Sequence, residues 1–296
     1  MNLEYLQSFY ITVKYNSISK AAQILHMSQP GLSGQLKSLE NELGAKLLVR
    51  SNKGVELTEE GEVVFNYAET LLSIQGNIKR DLSNLGQEAP KLMIGACKSI
   101  GEYALPCSLF TFKDLHPGVD LHMKVISSGE VIKQLQEHTI NIGIVQYNLD
   151  DDSIVTQPIV SDKLLLVGKD NIYPDRITLE ELRKIPLILR EEDSGTRYVI
   201  EQALKEKDIN INNLNIIYDL NSPEAIKSSI TTGKGFSFLP KLTVVPELKK
   251  QTLQIIEVKD FDVSFSYYIA SRKNYILTNY EQMFVDFIIS NKRGFC

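Results

Sequence analysis

The chain has 296 residues, more than one hydrophobic core normally supports, and this length suggests two or three domains. Its 43% hydrophobic and 23% charged residues are ordinary for a globular protein, and no run of about 18 apolar residues would span a membrane. The net charge of −5 excludes a uniformly basic surface, and three cysteines without CxxC spacing predict neither a zinc ribbon nor a disulfide framework.

The first 55 residues differ from the rest of the chain in charge. They carry six lysine and arginine residues against three glutamates, a net charge of +3. A small basic end on an acidic chain is compatible with a local nucleic-acid-binding module, although such a segment alone identifies nothing. The sequence opens without the basic and apolar regions of a secretory signal, so we expect a cytoplasmic location.

Two short helices are predicted at the N-terminus. Apolar residues at helical spacing from Leu3 to Val13 indicate the first, which ends at Asn16-Ser17. Ser19 is the expected N-cap of the second, and the small pair Ala21-Ala22 lets another helix approach closely.

A third helix follows directly after the tight connection His26-Met27. Ser28 is its predicted N-cap, Pro30 is tolerated in its first turn, and Gly44 ends it. Two helices joined so closely, the second amphipathic, indicate a helix-turn-helix. The apolar stripe consists of Leu32, Leu36, Leu39 and Leu43, and the other side carries Gln29, Pro30, Ser33, Gly34 and Lys37.

A hairpin and a long helix come next. The runs KLLVR and VELT flank a turn at Asn52-Lys53-Gly54 and predict a two-stranded wing. Thr58 is the predicted N-cap of a helix that extends to about Gln87. The helix packs either on its own domain or, as we favour, against a second copy as a dimerising linker. Its stripe, close to an a/d seam, consists of Val64, Tyr67, Leu71, Ile74, Ile78, Leu82 and Leu85.

From Lys91 onward the pattern changes to short β-type runs separated by stretches with helical period. This alternation indicates an α/β region with mostly parallel sheets, in one domain or two lobes. The runs are KLMIGA, VDLHMKVI, INIGIVQY, KLLLVG, PLILR, NIIYDL and FSFLP.

Signatures of catalysis are missing from the sequence. It contains no GxSxG, Walker A or HExxH motif, and the GxGxxG that Gly233 and Gly235 begin is broken at Phe238. The four histidines form no ligand-spaced pair with the cysteines. We therefore expect neither an enzyme nor a bound metal or cofactor.

Four junctions between predicted strands and helices carry small hydroxyl residues. In open α/β sheets ligands bind beyond the carboxyl ends of strands, where helix N-termini offer free N–H groups suited to an anion. The alternative is that these residues only cap helices. The junctions are Ala96-Cys97-Lys98-Ser99-Ile100-Gly101, Ser127-Ser128-Gly129, Asp193-Ser194-Gly195-Thr196 and Asn221-Ser222-Pro223.

A spaced combination in the N-terminal region resembles the signature of LysR-type transcriptional regulators, and the similarity covers essentially the whole chain. IGACKSIGEYALP resembles the first effector-domain strand and helix of that family, and REEDSGTR and NSPEAIKSSITTGKGFSFLP resemble segments of its second lobe. The N-terminal match comprises Ser19-x-Ala21-Ala22, Leu25, Ser28-Gln29-Pro30-x-Leu32-Ser33, Leu39-Glu40, Leu43-Gly44, Leu47, Arg50, Leu57-Thr58 and Gly61.

The resemblance implies a multidomain fold: an α-helical winged helix-turn-helix, a long linker helix, and a two-lobed α/β effector domain like periplasmic binding proteins. The expected boundaries are 1–58 for the DNA-binding domain and 59–90 for the linker. The first lobe would comprise 91–161 and 267–296, and the second 162–266. Family members regulate transcription by binding promoter DNA as dimers or tetramers, and activators contact RNA polymerase.

Site residues carry over by position. The resemblance places Ser28, Gln29, Pro30, Ser33, Gly34 and Lys37 on the recognition helix, and Arg50, Asn52 and Lys53 on the wing. A small-molecule effector would occupy the cleft between the lobes, and an anion or a small carboxylate suits its helix N-termini, although neutral ligands use the same groups. Candidate effector contacts are Lys98, Ser99, Ile100, Ser128, Gly129, Gln146, Ser194, Thr196 and Ser222.

One departure and two alternatives stand beside this interpretation. Gly34 replaces the longer polar residue common in the family, so operator preference cannot be copied from relatives. One alternative is a regulator that senses redox state through Cys97 and Cys107. The other is a small-molecule binding protein without a DNA function.

Overall fold

A computed structural model describes residues 1–51, 54–84, 90–151, 153–170, 174–273 and 275–296. The chain divides into two units, Met1–Gln87 and Glu88–Cys296. The first unit contains helices α1 (Leu3–Lys14), α2 (Ile18–Ile24) and α3 (Gln29–Leu43), strands β1 (Leu48–Ser51) and β2 (Gly54–Leu57), and helix α4 (Glu59–Asn84).

Helix α3 has the ends that the sequence predicts. The Ser28 hydroxyl accepts a hydrogen bond from the N–H of Gly31, 3.2 Å away, and Gly44 ends the helix at a φ of 67°. The cap of α2 is different, because Ser17 and not Ser19 accepts from the N–H of Lys20. Asn16 has a positive φ of 48°, so the chain turns early enough for Ser17 to reach the capping position.

The core of the first unit lies between its helices. Three leucines of the α3 stripe are buried, whereas Leu43, at the last position of the helix, is exposed. The buried residues of this core are Leu6, Phe9, Ala21, Ala22, Leu32, Leu36, Leu39, Leu47 and Ala68.

The wing is an antiparallel hairpin in which Arg50 pairs with Val55. The side-chain oxygen of Asn16 accepts from the N–H of Val55 at 2.7 Å. A Cβ atom on Gly54 would lie 2.6 Å from the Asn16 carbonyl oxygen, so glycine is required where the hairpin approaches α1. The turn residues Asn52 and Lys53 lie outside the described part of the chain.

Helix α4 begins as predicted, since the Thr58 hydroxyl accepts from the N–H of Gly61 at 2.9 Å. Its predicted stripe divides into two sets. Val64 and Leu71 pack on the first unit's core. The side chains of Tyr67, Ile74, Ile78 and Leu82 are exposed. Leu85, the last predicted stripe residue, lies outside the described residues.

The second unit is an α/β structure. Its helices are α5 (Lys98–Tyr103), α6 (Leu105–Leu115), α7 (Ser128–Gln136), α8 (Leu179–Leu182), α9 (Gly195–Lys205), α10 (Pro223–Thr231), α11 (Lys241–Lys249) and α12 (Asn279–Ile289). Its strands are β3 (Lys91–Cys97), β4 (Asp120–Ile126), β5 (Ile142–Val145), β6 (Ile154–Lys169), β7 (Arg176–Ile177), β8 (Leu187–Arg190), β9 (Ile216–Leu220), β10 (Ser237–Pro240), β11 (Leu253–Ile255), β12 (Glu257–Val258) and β13 (Val263–Arg272).

The largest sheet has the order β10-β6-β13-β5-β3-β4, and β11 also pairs with β6. The expectation of mostly parallel sheets is only partly right. Strand β3 pairs in parallel with β4 and β5, and β8 pairs in parallel with β9. The long strands β6 and β13 run antiparallel to each other. The sequence did not predict β13, because its residues VSFSYYIASR form no short apolar run bounded by turn signals.

We call β3, β4 and β5 with α5, α6, α7 and α12 the first lobe, and β8, β9 and β10 with α9, α10 and α11 the second lobe. Each lobe has its own core, around Ile94 and Phe112 in the first and around Leu187 and Phe236 in the second. Strands β6 and β13 run through both lobes. A continuous pair of antiparallel strands therefore connects the lobes.

The expectation for the cysteines is wrong. Cys107 and Cys296 form a disulfide although 189 positions separate them in the sequence, and Cys97 is a buried free thiol. Cys97 and Cys107, which we considered as a redox pair, are not bonded to each other. Sequence spacing carries no information on which distant cysteines the fold brings together.

Within the described residues, no helix combines the length and apolar character needed to cross a membrane.

Candidate functional site

The face of α3 opposite its leucine stripe is the candidate DNA-binding surface. Its side chains are exposed at the start and middle of the helix, whereas Ser33 on the flank is partly buried. An exposed face at a helix N-terminus presents both side chains and free backbone N–H groups. The exposed members are Ser28, Gln29, Pro30, Gly34 and Lys37.

Gln29 is held in place by a residue of the preceding helix. Its amide nitrogen donates a hydrogen bond to the Ser19 hydroxyl, 3.0 Å away. Ser19, considered only as a helix cap from the sequence, therefore positions a predicted base-reading side chain. Neither residue is buried, so the remaining amide oxygen of Gln29 stays accessible as an acceptor.

Gly34 is not required by packing within the first unit. A Cβ atom placed on it would meet no atom within 4 Å. Helix interiors disfavour glycine by about 1 kcal/mol relative to alanine. Glycine therefore leaves the helix backbone uncovered at this position. A longer side chain could be accommodated in the protein without DNA.

The three wing residues predicted to bind DNA have no described side chains. Arg50 lies on β1, but its side chain is outside the described part of the structure, as are the whole residues Asn52 and Lys53. Their predicted contacts with DNA therefore remain predictions.

In the second unit, the N-termini of α5, α7 and α9 meet between the lobes. Gln146, just after β5, joins α5 and α9 through its amide oxygen. That oxygen accepts one hydrogen bond from Ser99 at 3.1 Å and one from Thr196 at 3.0 Å. All three side chains are almost fully buried. A residue of the first lobe thus links a hydroxyl from each lobe.

Three buried polar atoms around this link have no hydrogen-bond partner among the described residues: Ser128 Oγ, Gln146 Nε2 and the Tyr267 hydroxyl. Burial raises the pKa of Tyr267 well above its usual range, so the hydroxyl stays protonated. A buried polar group without a partner costs free energy. Such groups are typical of a site that a polar ligand or water completes.

A charged group adjoins this cluster. The Glu191 carboxylate lies 3.2 Å from Lys98 Nζ of the first lobe and 2.8 Å from Nε of its neighbour Arg190. Arg190 is only 3% exposed, and Lys98 also donates to the carbonyl oxygen of Asn221. Two cations share the Glu191 carboxylate, and the carboxylates of Asp193 and Glu102 lie nearby, so the cations are balanced by acidic groups.

Glycines allow the lobes to approach closely here. A Cβ atom on Gly195 would lie 2.4 Å from the Cβ of Gln146 and 2.6 Å from Ser128 Oγ. The Gly129 N–H donates to the carbonyl oxygen of Asp193 at 3.0 Å, and the Ser127 hydroxyl donates to the Asp193 carboxylate at 2.5 Å. The predicted junctions on the two lobes therefore contact each other directly.

The remaining predicted effector contacts have other roles in this structure. Ile100 is fully buried in the first-lobe core. The hydroxyls of Ser194 and Ser222 cap their helices by accepting from the N–H groups of Arg197 and Ala225. The Ser127 hydroxyl likewise caps α7 by accepting from the N–H of Glu130. The alternative that these residues serve as helix caps thus describes three of the four junctions.

Sequence reasoning missed three residues of the cleft, Arg190, Glu191 and Tyr267, and it named Asp193 only as part of a junction. Arg190, Glu191 and Asp193 lie within the REEDSGTR segment, and their charges beside a helix N-terminus were a usable signal. Tyr267 gave no signal, because only the pairing of β13 with β6 brings it to the cleft. Among the described residues, no group of three histidine, cysteine or acidic side chains could hold a metal.

Comparisons with known proteins place both units in one family. The model for the LysR substrate binding domain matches residues 85–293, and the model for bacterial regulatory helix-turn-helix proteins of the lysR family matches residues 3–62. A "Probable RuBisCO transcriptional regulator" of Cyanidioschyzon merolae is 30% identical over 279 residues, which cover 92% of each chain.

Two solved structures share the fold. CbnR, a LysR family transcriptional regulator, has a TM-score of 0.63 at 20% identity, over 97% of this chain and 98% of its own. The Synechocystis PCC6803 CcmR regulatory domain in complex with 2-PG has a TM-score of 0.61 at 23% identity, over 68% of this chain and 96% of its own. The two-lobed effector fold expected from the sequence is confirmed.

Proposed function

The chain belongs to the LysR family of transcriptional regulators, and on that premise we propose that a small anion in its inter-lobe cleft controls how it binds promoter DNA. Membership makes the protein a ligand-responsive DNA-binding regulator. The proposal adds the chemical class of the effector and the residues that act at each site.

The two cations of the cleft and its unpaired hydrogen-bond donors support an anionic effector. Lys98 and Arg190 are both held by the single carboxylate of Glu191. Ser128 Oγ, Gln146 Nε2 and the protonated Tyr267 hydroxyl are unpaired nearby and can donate to ligand oxygens. A carboxylate or phosphate would accept from these donors and share the two cations with Glu191.

For DNA binding we assign α3 to the major groove. Lys37 is exposed and placed to neutralise a phosphate, whereas Gln29 at the helix start would reach a base edge. The hydrogen bond that Gln29 donates to Ser19 restricts the Gln29 side chain before DNA arrives, which lowers the entropy cost of ordering it. Arg50, Asn52 and Lys53 would add backbone contacts from the wing.

A second copy of the chain is the proposed partner for the exposed apolar residues of α4. Tyr67, Ile78 and Leu82 are more than half exposed, and they follow one helix face. A two-fold dimer through this face predicts a pseudo-palindromic DNA site. We further propose that two dimers assemble to a tetramer and that the protein, if it is an activator, contacts RNA polymerase. The proposal includes a cytoplasmic location and no catalytic activity.

We keep the domain division as part of the proposal: 1–58 for DNA binding, 59–90 for the linker, 91–161 with 267–296 for one lobe, and 162–266 for the other. The lobe limits fall inside β6 and β13, the strands that run through both lobes. A hinge in these strands would let effector binding change the angle between the lobes.

The test combines DNA binding with ligand binding on the full chain. A duplex selected from random sequence supplies the DNA, and acetate, phosphate and 2-PG are the probes at ionic strength matched with chloride. We expect one probe to change DNA affinity and, at 100 times its Kd, to stabilise the fold by about 2.7 kcal/mol. Gln146→Leu should abolish the stabilisation while DNA binding without the probe persists. Failure of all three anions to stabilise the protein would contradict the anionic class but leave DNA binding intact.

A further inference from the structure

The disulfide between Cys107 and Cys296 lies on the surface of the first lobe. Cys107 is in the first turn of α6, and Cys296 lies seven residues after the end of α12. Their Cα atoms are 5.3 Å apart, and both residues are exposed. Exposed disulfides are accessible to an attacking thiolate, and they are typically the labile ones.

The third cysteine has the opposite environment. Cys97 is 3% exposed at the end of β3, with its sulfur 3.7 Å from the Ser99 hydroxyl. Burial raises its pKa, so little of the reactive thiolate form is present. Thiol chemistry in the native protein is therefore confined to the Cys107–Cys296 pair.

Weaker contacts accompany the disulfide along the C-terminal segment. The N–H of Cys296 donates to the carbonyl oxygen of Ala104 at 3.3 Å, and Phe295 packs partly buried against the first-lobe core. Arg293 donates to the carbonyl oxygens of Ile289 and Ser290 at 3.1 Å, beyond the end of α12. Besides the disulfide, Cys296 is held by this hydrogen bond and by one that its sulfur accepts from the N–H of Cys107 at 3.2 Å.

The point of attachment is the corner between α5 and α6. Ala104 is the one residue between the two helices. Helix α5 presents Lys98 to Glu191 and ends at Tyr103, whose hydroxyl donates to Glu224 of the second lobe. The corner that the disulfide fastens thus belongs to the helix that makes two of the contacts between the lobes.

We propose that Cys107–Cys296 is a reversible redox modification site, whose reduction by a dithiol releases Cys296 and loosens the α5–α6 corner. One thiolate of the reductant attacks a sulfur of the pair, the S–S bond breaks, and the other cysteine leaves as a thiolate. The second thiol of the reductant then closes its own disulfide and releases the first cysteine. Two electrons and two protons pass from the dithiol to the cysteines. This site is independent of the proposed effector and DNA contacts.

The first experiment establishes the bond and its accessibility. Full-length protein purified without reductant is treated with light iodoacetamide, before and after native incubation with dithiothreitol, and then denatured, reduced and labelled with the heavy form. We expect Cys107 and Cys296 to take heavy label before dithiothreitol and light label after it, and Cys97 to take heavy label in both samples. Oxidised glutathione, added after removal of the dithiothreitol, should restore the first pattern. Light label on Cys107 or Cys296 before reduction, or no change on reduction, would overturn the proposal.

The second experiment measures the corner itself. Hydrogen exchange of peptides spanning 98–107 should accelerate about tenfold when dithiothreitol reduces the wild-type protein. Cys296→Ser should exchange at the reduced rate with or without dithiothreitol, whereas Cys97→Ala, as the matched control, should keep the wild-type response. Equal exchange in the oxidised and reduced proteins would refute the coupling, even if the disulfide itself is present.

Discussion

Glu191 of the second lobe and Lys98 of the first form an ion pair across the cleft, with 3.2 Å between Oε1 and Nζ. The same carboxylate also holds the buried Arg190. The proposed anionic effector would have to share these cations, so the ion pair would affect both the position and the strength of its binding.

Glu191→Gln should therefore tighten the binding of an anion. Removal of the internal carboxylate leaves Lys98 and Arg190 free to interact with ligand oxygens. We expect the Kd for phosphate or 2-PG, measured by calorimetry, to fall about tenfold, or about 1.4 kcal/mol. The neighbouring exposed Glu192→Gln removes the same charge as a control and should have little effect. Weaker binding by Glu191→Gln would mean that the carboxylate supports the site instead of competing for it.

Lys37 and Gln29 should have different effects on DNA binding. Lys37→Ala is expected to weaken binding to all sequences and to reduce the salt dependence of log Kd by about one unit of slope, because one phosphate contact is lost. Gln29→Ala should cost about 1–3 kcal/mol at one base position and relax preference there. Anisotropy titrations of both variants against single-base changes in a selected duplex measure these profiles. Identical profiles would contradict the assignment.

Gly34 and Gly61 should respond oppositely to substitution by alanine. Gly34→Ala places a methyl group in open space within a helix and should stabilise the first unit by about 0.5–1 kcal/mol. Gly61→Ala is the matched helical control, because its Cβ atom would lie 2.1 Å from the carbonyl oxygen of Leu47 and must displace backbone. Thermal unfolding measures both changes. A destabilised Gly34→Ala protein would show that the site is not open as described.

Ile78→Glu should prevent the proposed dimer. The side chain is 55% exposed on α4, so the change costs little in the monomer but places a charge in an apolar interface. Gly76→Glu adds the same charge about 200° around the helix, where no atom lies within 4 Å of its Cβ position. Sedimentation equilibrium should give a monomer or a weakened dimer for Ile78→Glu alone. Equal dissociation of both variants would place the contact elsewhere.

Protonation linked to His138 should lower the free energy of unfolding in mild acid. Burial, assisted by the positive charge of Arg272, lowers the pKa of His138 to about 4. Because the unfolded pKa is about 6.5, the unfolded chain binds the proton first, and the stability present above pH 6.5 is lost as the pH falls towards 4. His138→Asn should reduce the drop in melting temperature between pH 7 and pH 5. Asparagine suits the positive φ of 58° at this position.

The exposed histidine His26, which also has a positive φ of 52°, provides the control for this measurement. His26→Asn should retain the wild-type drop between the two pH values. If the two substitutions changed the pH dependence equally, protonation of His138 would not be its cause.

The winged helix was predictable because its signals are local. The capping serine and terminal glycine of α3, the Thr58 cap and the turn of the wing each act within a few residues, and three leucines of the stripe lie in the core. The misassigned cap, Ser19 instead of Ser17, depends on the backbone at Asn16, which the sequence pattern does not report. The predicted apolar runs likewise coincide with strands. Strands β5, β8 and β10 are buried throughout, as expected of strands that are apolar on both faces, whereas β4 and β9 contain no buried residue.

The cleft was predictable only in part. Gln146 and Thr196 were expected in it from family resemblance, but nothing in the sequence indicated that they bond to each other. Ser194 and Ser222 are helix caps, as the alternative interpretation held, and Ile100 is a core residue. A hydroxyl next to glycine at the start of a helix can either cap that helix or face the cleft. Which of the two it does depends on how the other lobe packs against it.

The sequence by itself determined the family, the helices of the DNA-binding unit and the surface of α3 that stays small and polar, because caps, glycines and apolar spacing act over short distances. Only the tertiary structure decided which distant residues meet: Glu191 with Lys98, Ser99 and Thr196 with Gln146, and Cys107 with Cys296. These contacts depend on the antiparallel pairing of β6 with β13 and on the packing of the two lobes. Contacts between residues so far apart arise from the whole fold and leave no local pattern in the chain.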